Sequence, residues 1–388
     1  MATYRRLPTL LGTKDMVPLT QEAGRTMAEV GGELKEVVVA TADTLSTMPG
    51  IVEGGVYLAG SGSTGLGATF VTLSAVYTSL MLTGALGQRL PRAFVEATIA
   101  KKDAADGVAA PYVPYETATR LPQFYLLWFG VMGNAIVGAS IISCAKTLMS
   151  EIFGPSFPLV VDGAFAASFV AGLSVANLGG RLFWPSISDA LGRRSTYITF
   201  GLLGVPLLLA MPTMNAMAVS GESTLPLWGF VASTSALVSC YGGLMGILPP
   251  YLNDLYGAKN ATSIYGRVLT GWAASVAGGP ILMTYLRDGS HAEQLAKLAE
   301  RVDPAQFAEA FGAPVSEMAT LSKANAVTIP RLLELLPEGT QNPSYMLYDS
   351  TLYTMAGVVG LACIANALVR PIPRKYFVSG RGGPPCRP

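Results

Sequence analysis

The chain has 388 residues, a formal net charge of +1 and a sequence pI near 7.6, so it carries no electrostatic footprint for nucleic acid. Hydrophobic residues make up 51% and charged residues 13%, against about 25% charged in a soluble domain, and the mean hydropathy is +0.43. With 43 glycines and 26 prolines the bias is neither collagen-like nor disordered, because glycines lie inside apolar runs, and a polytopic membrane protein is indicated.

In chain order, residues 1–63 are polar, hold no apolar run long enough for a signal peptide, and include a stretch, 20–46, that reads as a soluble helical piece. Gly60, Gly62 and Gly65 then fit G-x-G-x-x-G. A dinucleotide site needs an acidic residue about twenty positions further on, and Leu80 to Gln88 contains none. The expectation at this motif is a closely packed entrance to a membrane span. Crossing a bilayer takes about twenty apolar residues. Seven stretches qualify: 66–86, 124–145, 159–180, 195–213, 226–250, 263–286 and 345–369, with Pro206 and Arg267 interrupting the fourth and sixth. All are helix candidates, since an open strand leaves its backbone unsatisfied in lipid. Between the last two spans lies a polar region, 287–344. Its amphipathic helical spacing and an Asp303-Pro304 helix start predict a small helical cap over the outer mouth.

Lys and Arg set the orientation. The segment 88–121 holds Arg89, Arg92, Lys101, Lys102 and Arg120, and the next loop on that side holds Arg181, Arg193 and Arg194. Lys259 and the tail residues Arg370, Arg374, Lys375, Arg381 and Arg387 follow on the same face. The opposite loops offer Lys146 in 146–158 and nothing in 214–225. The basic loops and the C-terminus are therefore expected in the cytoplasm, in a plasma-membrane protein. An odd number of spans would place polar residues 1–63 outside, which suggests that earlier spans are missing and that this segment is a remnant of an outer loop.

Charges within spans cost roughly 2.5–3.5 kcal/mol each at a helix centre. Asp162, Arg267 and Asp349 all lie near span ends, where anchoring or cap contacts are expected, and Asp162 is also a candidate for proton coupling. Small residues recur at Gly130, Gly133 and Gly138, at Gly242 and Gly246, and at Gly278 and Gly279, a spacing that lets helices approach closely. Pro206, Pro249, Pro250 and Pro280 point to bent helices, and both static packing and bending around a central site fit this pattern. Cys144, Cys240 and Cys363 lie in apolar runs and Cys386 in the tail, with no C-x-x-C pair. With His291 the one histidine, no His-based zinc site can form. No metal and no cofactor is expected.

The loop N-L-G-G-R-L-F-W-P-S-I-S-D-A-L-G-R-R resembles the loop signature of the major facilitator superfamily, the twelve-span transporters. Asp189, Gly192, Arg193 and Arg194 fit the signature, while Pro185 replaces a usual Gly and Ala190 a usual basic residue. The resemblance implies a latch made in one transport state and broken in the other. Further stretches resemble the oxalate:formate antiporter family: G-A-T-F-V-T-L-S-A-V-Y-T-S-L-M-L-T-G-A-L-G-Q-R-L-P, P-Q-F-Y-L-L-W-F-G-V-M-G-N-A-I-V-G-A-S-I-I and L-Y-G-A-K-N-A-T-S-I-Y-G-R-V-L-T-G-W-A-A-S-V-A-G-G-P. The resemblance covers about 51–376. It implies that 64–87 corresponds to the sixth span, 88–121 to the central cytoplasmic loop, 122–286 to five spans from the seventh to the eleventh, 345–369 to the last span and 370–388 to a basic tail.

Oxalate-transporting members of that family hold the dianion with a basic residue on each of two pore helices. Here the third span has no Arg or Lys before Arg181, and Trp272 stands near the expected lysine of the sixth. A dicarboxylate in a low-dielectric cavity needs two compensating charges, so a monocarboxylate-like anion fits better. Candidate path residues are Asn134, Ser140, Ser143, Asn177, Tyr241 and Trp272.

The fold expectation is thus all-α, a polytopic membrane protein of about seven helices resembling a truncated twelve-helix carrier. The function implied is alternating-access transport of a small organic anion by an incomplete chain that does not transport alone, with the lipid bilayer and the missing N-terminal half as partners. Two alternatives are a seven-span receptor-like protein and a non-transporting partner subunit. No HExxH, no paired intramembrane carboxylates and no Ser/His dyad within the spans are present, so an enzyme is not expected.

Overall fold

The computed structural model describes residues 7–13, 16–22, 25–40, 54–63, 65–87, 111–315, 318–323, 327–337 and 339–378. The chain divides into two units, Met1–Ala104 and Ala105–Pro388. The basic residues Arg89, Arg92, Lys101, Lys102, Arg381 and Arg387, with Cys386, lie outside the described residues.

Five strands open the first unit: β1 (Leu10–Gly12), β2 (Leu19–Glu22), β3 (Arg25–Val30), β4 (Glu33–Ala40) and β5 (Gly55–Leu58). They pair antiparallel in the order β1-β5-β4-β3-β2. The helical piece expected over 20–46 is therefore strand or hairpin turn wherever it is described. The physical reason lies at Gly31-Gly32. Both take positive φ, +67° and +83°, giving the two-residue turn that matches the right-handed twist of a hairpin. Val30 then faces Glu33 and Met27 faces Glu36. Alternate residues bury Ala28, Val37 and Val56 in a small core. After the sheet, Gly65 at φ +68° leads into α1 (Leu66–Gly87), an apolar helix of 22 residues, none of them buried. At the Gly motif a Cβ on Gly62 would stand 3.0 Å from the Pro8 nitrogen, whereas one on Gly60 would meet nothing within 4 Å.

The second unit holds α2 (Tyr115–Ala118), α3 (Pro122–Phe153), α4 (Gly163–Leu191), α5 (Arg193–Met217), α6 (Leu225–Tyr256) and α7 (Ala258–Ala299). Three short helices follow, α8 (Pro304–Phe311), α9 (Met318–Lys323) and α10 (Ile329–Glu334), and then α11 (Asp349–Leu368). The starts are legible in the chemistry. Pro122 occupies the first turn of α3, where a missing N–H matters least. The Asp162 carboxylate accepts the Phe165 N–H at 2.7 Å to cap α4, and Asp303 accepts the Ala305 N–H at 2.9 Å to cap α8, as the Asp303-Pro304 pair predicts.

Two helix pairs are joined by a single glycine. Gly192 (φ +86°, ψ 145°) joins α4 to α5, and Gly257 (φ +81°, ψ 153°) joins α6 to α7. This corner of backbone space belongs essentially to glycine, and it reverses the chain without a loop. Both connectors lie at one end of the bundle, called here the loop end. The opposite end carries α8–α10 and is called the cap end.

Among the described residues, six helical stretches are long and apolar enough to cross a membrane: Leu66–Gly87, Pro122–Phe153, Gly163–Leu191, Arg193–Ser220, Leu225–Tyr256 and Pro343–Leu368. The protein is a mostly helical, polytopic membrane protein, as the composition indicates. The sixth expected span, 263–286, is helical but falls outside these six. It forms the middle of α7, a 42-residue helix that continues into the polar region without meeting the same apolarity. α7 nevertheless packs along α3, which also touches α4, α6 and α11, while α4 pairs most extensively with α6 and α5 with α11.

Two apolar cores result. At the cap end Phe153, Phe230 and Met283 of the long helices join Leu298, Phe307 and Leu332, so α8 and α10 share one core with the bundle. At the loop end Leu127, Tyr197, Leu244, Tyr251, Ile264 and Val369 form the second.

Candidate functional site

Glycines set how near the long helices come. A Cβ at Gly180 of α4 would sit 2.0 Å from the Ser239 carbonyl oxygen, and one at Gly242 of α6 would sit 2.1 Å from that of Asn177. The α4 and α6 backbones therefore touch, and the indole N–H of Trp184 locks the seam by donating to the Ser239 hydroxyl at 2.9 Å. α3 meets α6 at Gly138, on which the Tyr241 ring rests. α3 meets α7 where the Ser275 hydroxyl donates to the Met132 carbonyl at 2.6 Å.

Among the six predicted path residues, this packing brings two into direct bonding. The Trp272 indole N–H of α7 donates to the Tyr241 hydroxyl of α6 at 3.0 Å. Asn177 lies beside Tyr241, its carbonyl oxygen pressed against the adjacent Gly242. The other three line up along α3. Asn134 donates to the Gly130 carbonyl at 2.9 Å on the loop-end side. Ser140 is fully buried against Gly279 of α7, and its hydroxyl donates to the Ile136 carbonyl. Ser143 donates to the Ala139 carbonyl at 2.8 Å and stands exposed one turn nearer the cap end.

The loop motif closes the other end. Arg193 pairs with Asp189 and donates to the Ser188 hydroxyl, and its Nε stands 3.8 Å from the Asp254 carboxylate. It thereby ties α4 and α5 to α6. Arg194 donates to the Ala367 carbonyl near the end of α11. Gly192 ends α4 and starts α5, and the Thr196 hydroxyl donates to its carbonyl at 3.0 Å. Asp254 joins this cluster unannounced by the motif. Its signal was there to read, since Asp254-x-x-Gly257-x-Lys259 repeats the spacing of Asp189-x-x-Gly192-x-Arg194. Of the span-end charges, Arg267 lies 4.3 Å over the Tyr115 ring, Asp162 caps α4, and Asp349 opens the first turn of α11.

A second polar network at the cap end was not predicted. Glu151 of α3 accepts from Arg287 of α7 through two bonds, with Nε at 3.1 Å, and from the Tyr348 hydroxyl at 2.8 Å. Arg287 also donates to Asp288 at 2.9 Å. Burial first and the neighbouring Arg287 charge second hold His291 below its ordinary pKa, against the opposing pull of Glu151 and Asp288. Among the described residues no group of three or more His, Cys, Asp or Glu could hold a metal ion.

These long, glycine-seamed helices are consistent with part of a major facilitator-like fold, and the chain is similar in sequence to two proteins named as transporters. No protein-family profile matches the chain. It is 26% identical over 213 residues to the Uncharacterized MFS-type transporter YhjX of Escherichia coli, covering 54% of this chain and 46% of that protein. It is 29% identical over 168 residues to the Oxalate:formate antiporter of Oxalobacter formigenes, covering 41% of this chain and 35% of that protein. The chain thus spans less than half the length of either relative. Both relatives carry transporter names. Among solved structures, a bacterial homologue of the human lysosomal transporter Spinster, inward-facing and occupied, aligns at a TM-score of 0.44 with 14% identity, over 65% of this chain and 50% of that one.

Proposed function

We propose that the chain forms part of a secondary transporter that moves a small organic anion by alternating access, a monocarboxylate in preference to oxalate. The observation carrying this reading is the Trp272–Tyr241 hydrogen bond. With the indole N–H on one lone pair of the phenolic oxygen, the Tyr241 O–H is left to donate, and among the described residues it donates to no protein group. A donor polarised by a second hydrogen bond is a stronger one. It suits a single carboxylate, whereas α4 between Asp162 and Arg181 and α7 between Arg267 and Arg287 supply no cation pair for a dianion.

The faces of α4 and α7 support a companion half. Gly172 and Gly179 on α4, with Gly266 and Gly278 on α7, have nothing within 4 Å of where a Cβ would stand. Such surfaces admit close approach by further helices of the kind the matched relatives have room for. The loop end, with Arg193, Arg194 and Lys259, is assigned to the cytoplasm and the protein to the plasma membrane.

The test is a titration of tryptophan fluorescence in the purified chain with formate, acetate and oxalate, alongside uptake by liposomes holding the chain with and without the N-terminal half of the Escherichia coli relative. Formate or acetate should bind more tightly than oxalate, and Tyr241→Phe should weaken binding roughly tenfold, as for loss of a hydrogen bond to a charged group. Uptake should require the added half. Tighter binding of oxalate, or an unchanged Tyr241→Phe, overturns the reading.

A further inference from the structure

The Glu151–Arg287–Tyr348 network borders a cavity of ≈ 270 Å³ between the cap-end halves of α3 and α7. Its lining is unusual in where the donors point. Arg287 directs Nε and Nη2 to Glu151 and Nη1 to Asp288. The Tyr348 hydroxyl donates to Glu151, Ser143 to the Ala139 carbonyl, and Thr284 to the Pro280 carbonyl at 2.9 Å. A hydroxyl whose proton is committed to the backbone presents only lone pairs to the space beside it. Thr147 can turn either way. The cavity is therefore rich in acceptors, and its lining charges, Glu151 and Asp288 against Arg287, leave one negative charge in excess.

We infer that this cavity binds a small organic ammonium compound. Anions are disfavoured because the one cation in the lining is already held by two carboxylates. An ammonium group supplies the N–H donors that the Ser143, Thr284 and Asp288 oxygens lack, and its charge balances the site. Cys144 and Met283 give an apolar wall for the remainder of the molecule. A bare alkali ion fits poorly, since such an ion needs a close shell of oxygens and the volume here is many times that of one ion. The site is separate from the Tyr241–Trp272 pair, so it stands or falls independently of the transported anion.

The experiment uses the full chain in detergent or nanodiscs, with phenethylammonium chloride as the probe and isothermal titration calorimetry as the readout. Sodium chloride at equal ionic strength and the similarly shaped anion hydrocinnamate serve as comparisons. Saturable binding of the ammonium probe alone is expected. Asp288→Asn, which leaves the Glu151–Arg287 pair in place, should weaken it roughly fivefold, the scale of one partly exposed charge contact. Thr284→Val should have an effect of similar size by removing one acceptor. The inference is overturned if the probe does not bind, if hydrocinnamate binds as well, if sodium alone saturates the site, or if both folded variants bind as the parent does.

Discussion

Alanine at Gly180 tests whether the α4–α6 seam holds the bundle together. Its Cβ would stand 2.0 Å from the Ser239 carbonyl oxygen, a backbone atom that cannot swing aside as a side chain could. To regain ordinary contact near 3.4 Å the helices must part by about 1.4 Å, which also strains the Trp184–Ser239 bond. Overpacking of this kind costs about 1–3 kcal/mol, offset by the ~1 kcal/mol that alanine gains over glycine in a helix. The net expectation is a loss of up to about 2 kcal/mol, or as much as a few degrees in apparent Tm. Gly179 is the control, because it adjoins Gly180 on the same helix and has nothing within 4 Å of its Cβ position. Gly179→Ala should leave stability unchanged or raise it slightly. Thermal unfolding in detergent, followed by tryptophan fluorescence with Trp184 in the seam, measures both. Equal Tm values for the two variants would refute backbone contact as the basis of the α4–α6 pairing.

Two further outcomes follow from the connector at the loop end and the histidine at the cap end. Gly257→Ala meets a φ of +81° and a Cβ position 2.6 Å from the Pro111 carbonyl, so it should cost about 1–3 kcal/mol and speed amide exchange at Val113, whose N–H donates to the Tyr256 carbonyl. His291, with its pKa held below the ordinary value near 6.5, favours the neutral ring in the folded state. Its contribution is present above that pH and is lost as the pH falls through it, because the unfolded chain takes up the proton first. Unfolding midpoints measured between about pH 7.5 and 5.5 should therefore drop on acidification, and His291→Gln should flatten that drop.

Much of the helical layout is legible in residue order alone, because lipid demands long unbroken apolar runs. The run 124–145 became part of Pro122–Phe153, and 226–250 part of Leu225–Tyr256. Two differences from the expectation have definite causes. Over 20–46, Ala, Glu, Lys and Leu suggest a helix, yet Gly31-Gly32 between Val30 and Glu33 is a hairpin turn in plain view, and Val37 to Val39 are β-branched. The local turn outweighs weak helix propensity. For α7, hydropathy averages every face of the helix. Within 263–286 the buried stripe runs through Ile264, Val268, Gly271, Ser275, Gly279 and Met283, and its Gly and Ser, with Arg267, Thr270, Pro280 and Thr284 beside it, lower a mean to which the exposed Val276 and Ile281 still contribute. A helix that packs closely through small residues can lie beside more apolar ones with a lower mean hydropathy.

The site is less legible because rotation about a helix axis, rather than residue type, decides what a polar group does there. Ser140 and Ser143 show this most simply. Both are serines on α3, and each donates to the carbonyl four residues earlier. Three residues turn a helix to within about 60° of a full circle, so the two hydroxyls leave the axis in clearly different directions. That offset buries Ser140 against Gly279 and leaves Ser143 facing the cap-end cavity. The same dependence explains Glu151 and Arg287, which pair across 136 positions of sequence. Only the register of α7 on α3, fixed at Gly271 against Trp128 and at Gly279 against Ser140, makes them neighbours. Each small residue on α7 thus sets the height at which the polar groups above it meet α3, so a change at Gly279 should disturb the cap-end network more than a change at Gly278, where a Cβ would meet nothing within 4 Å.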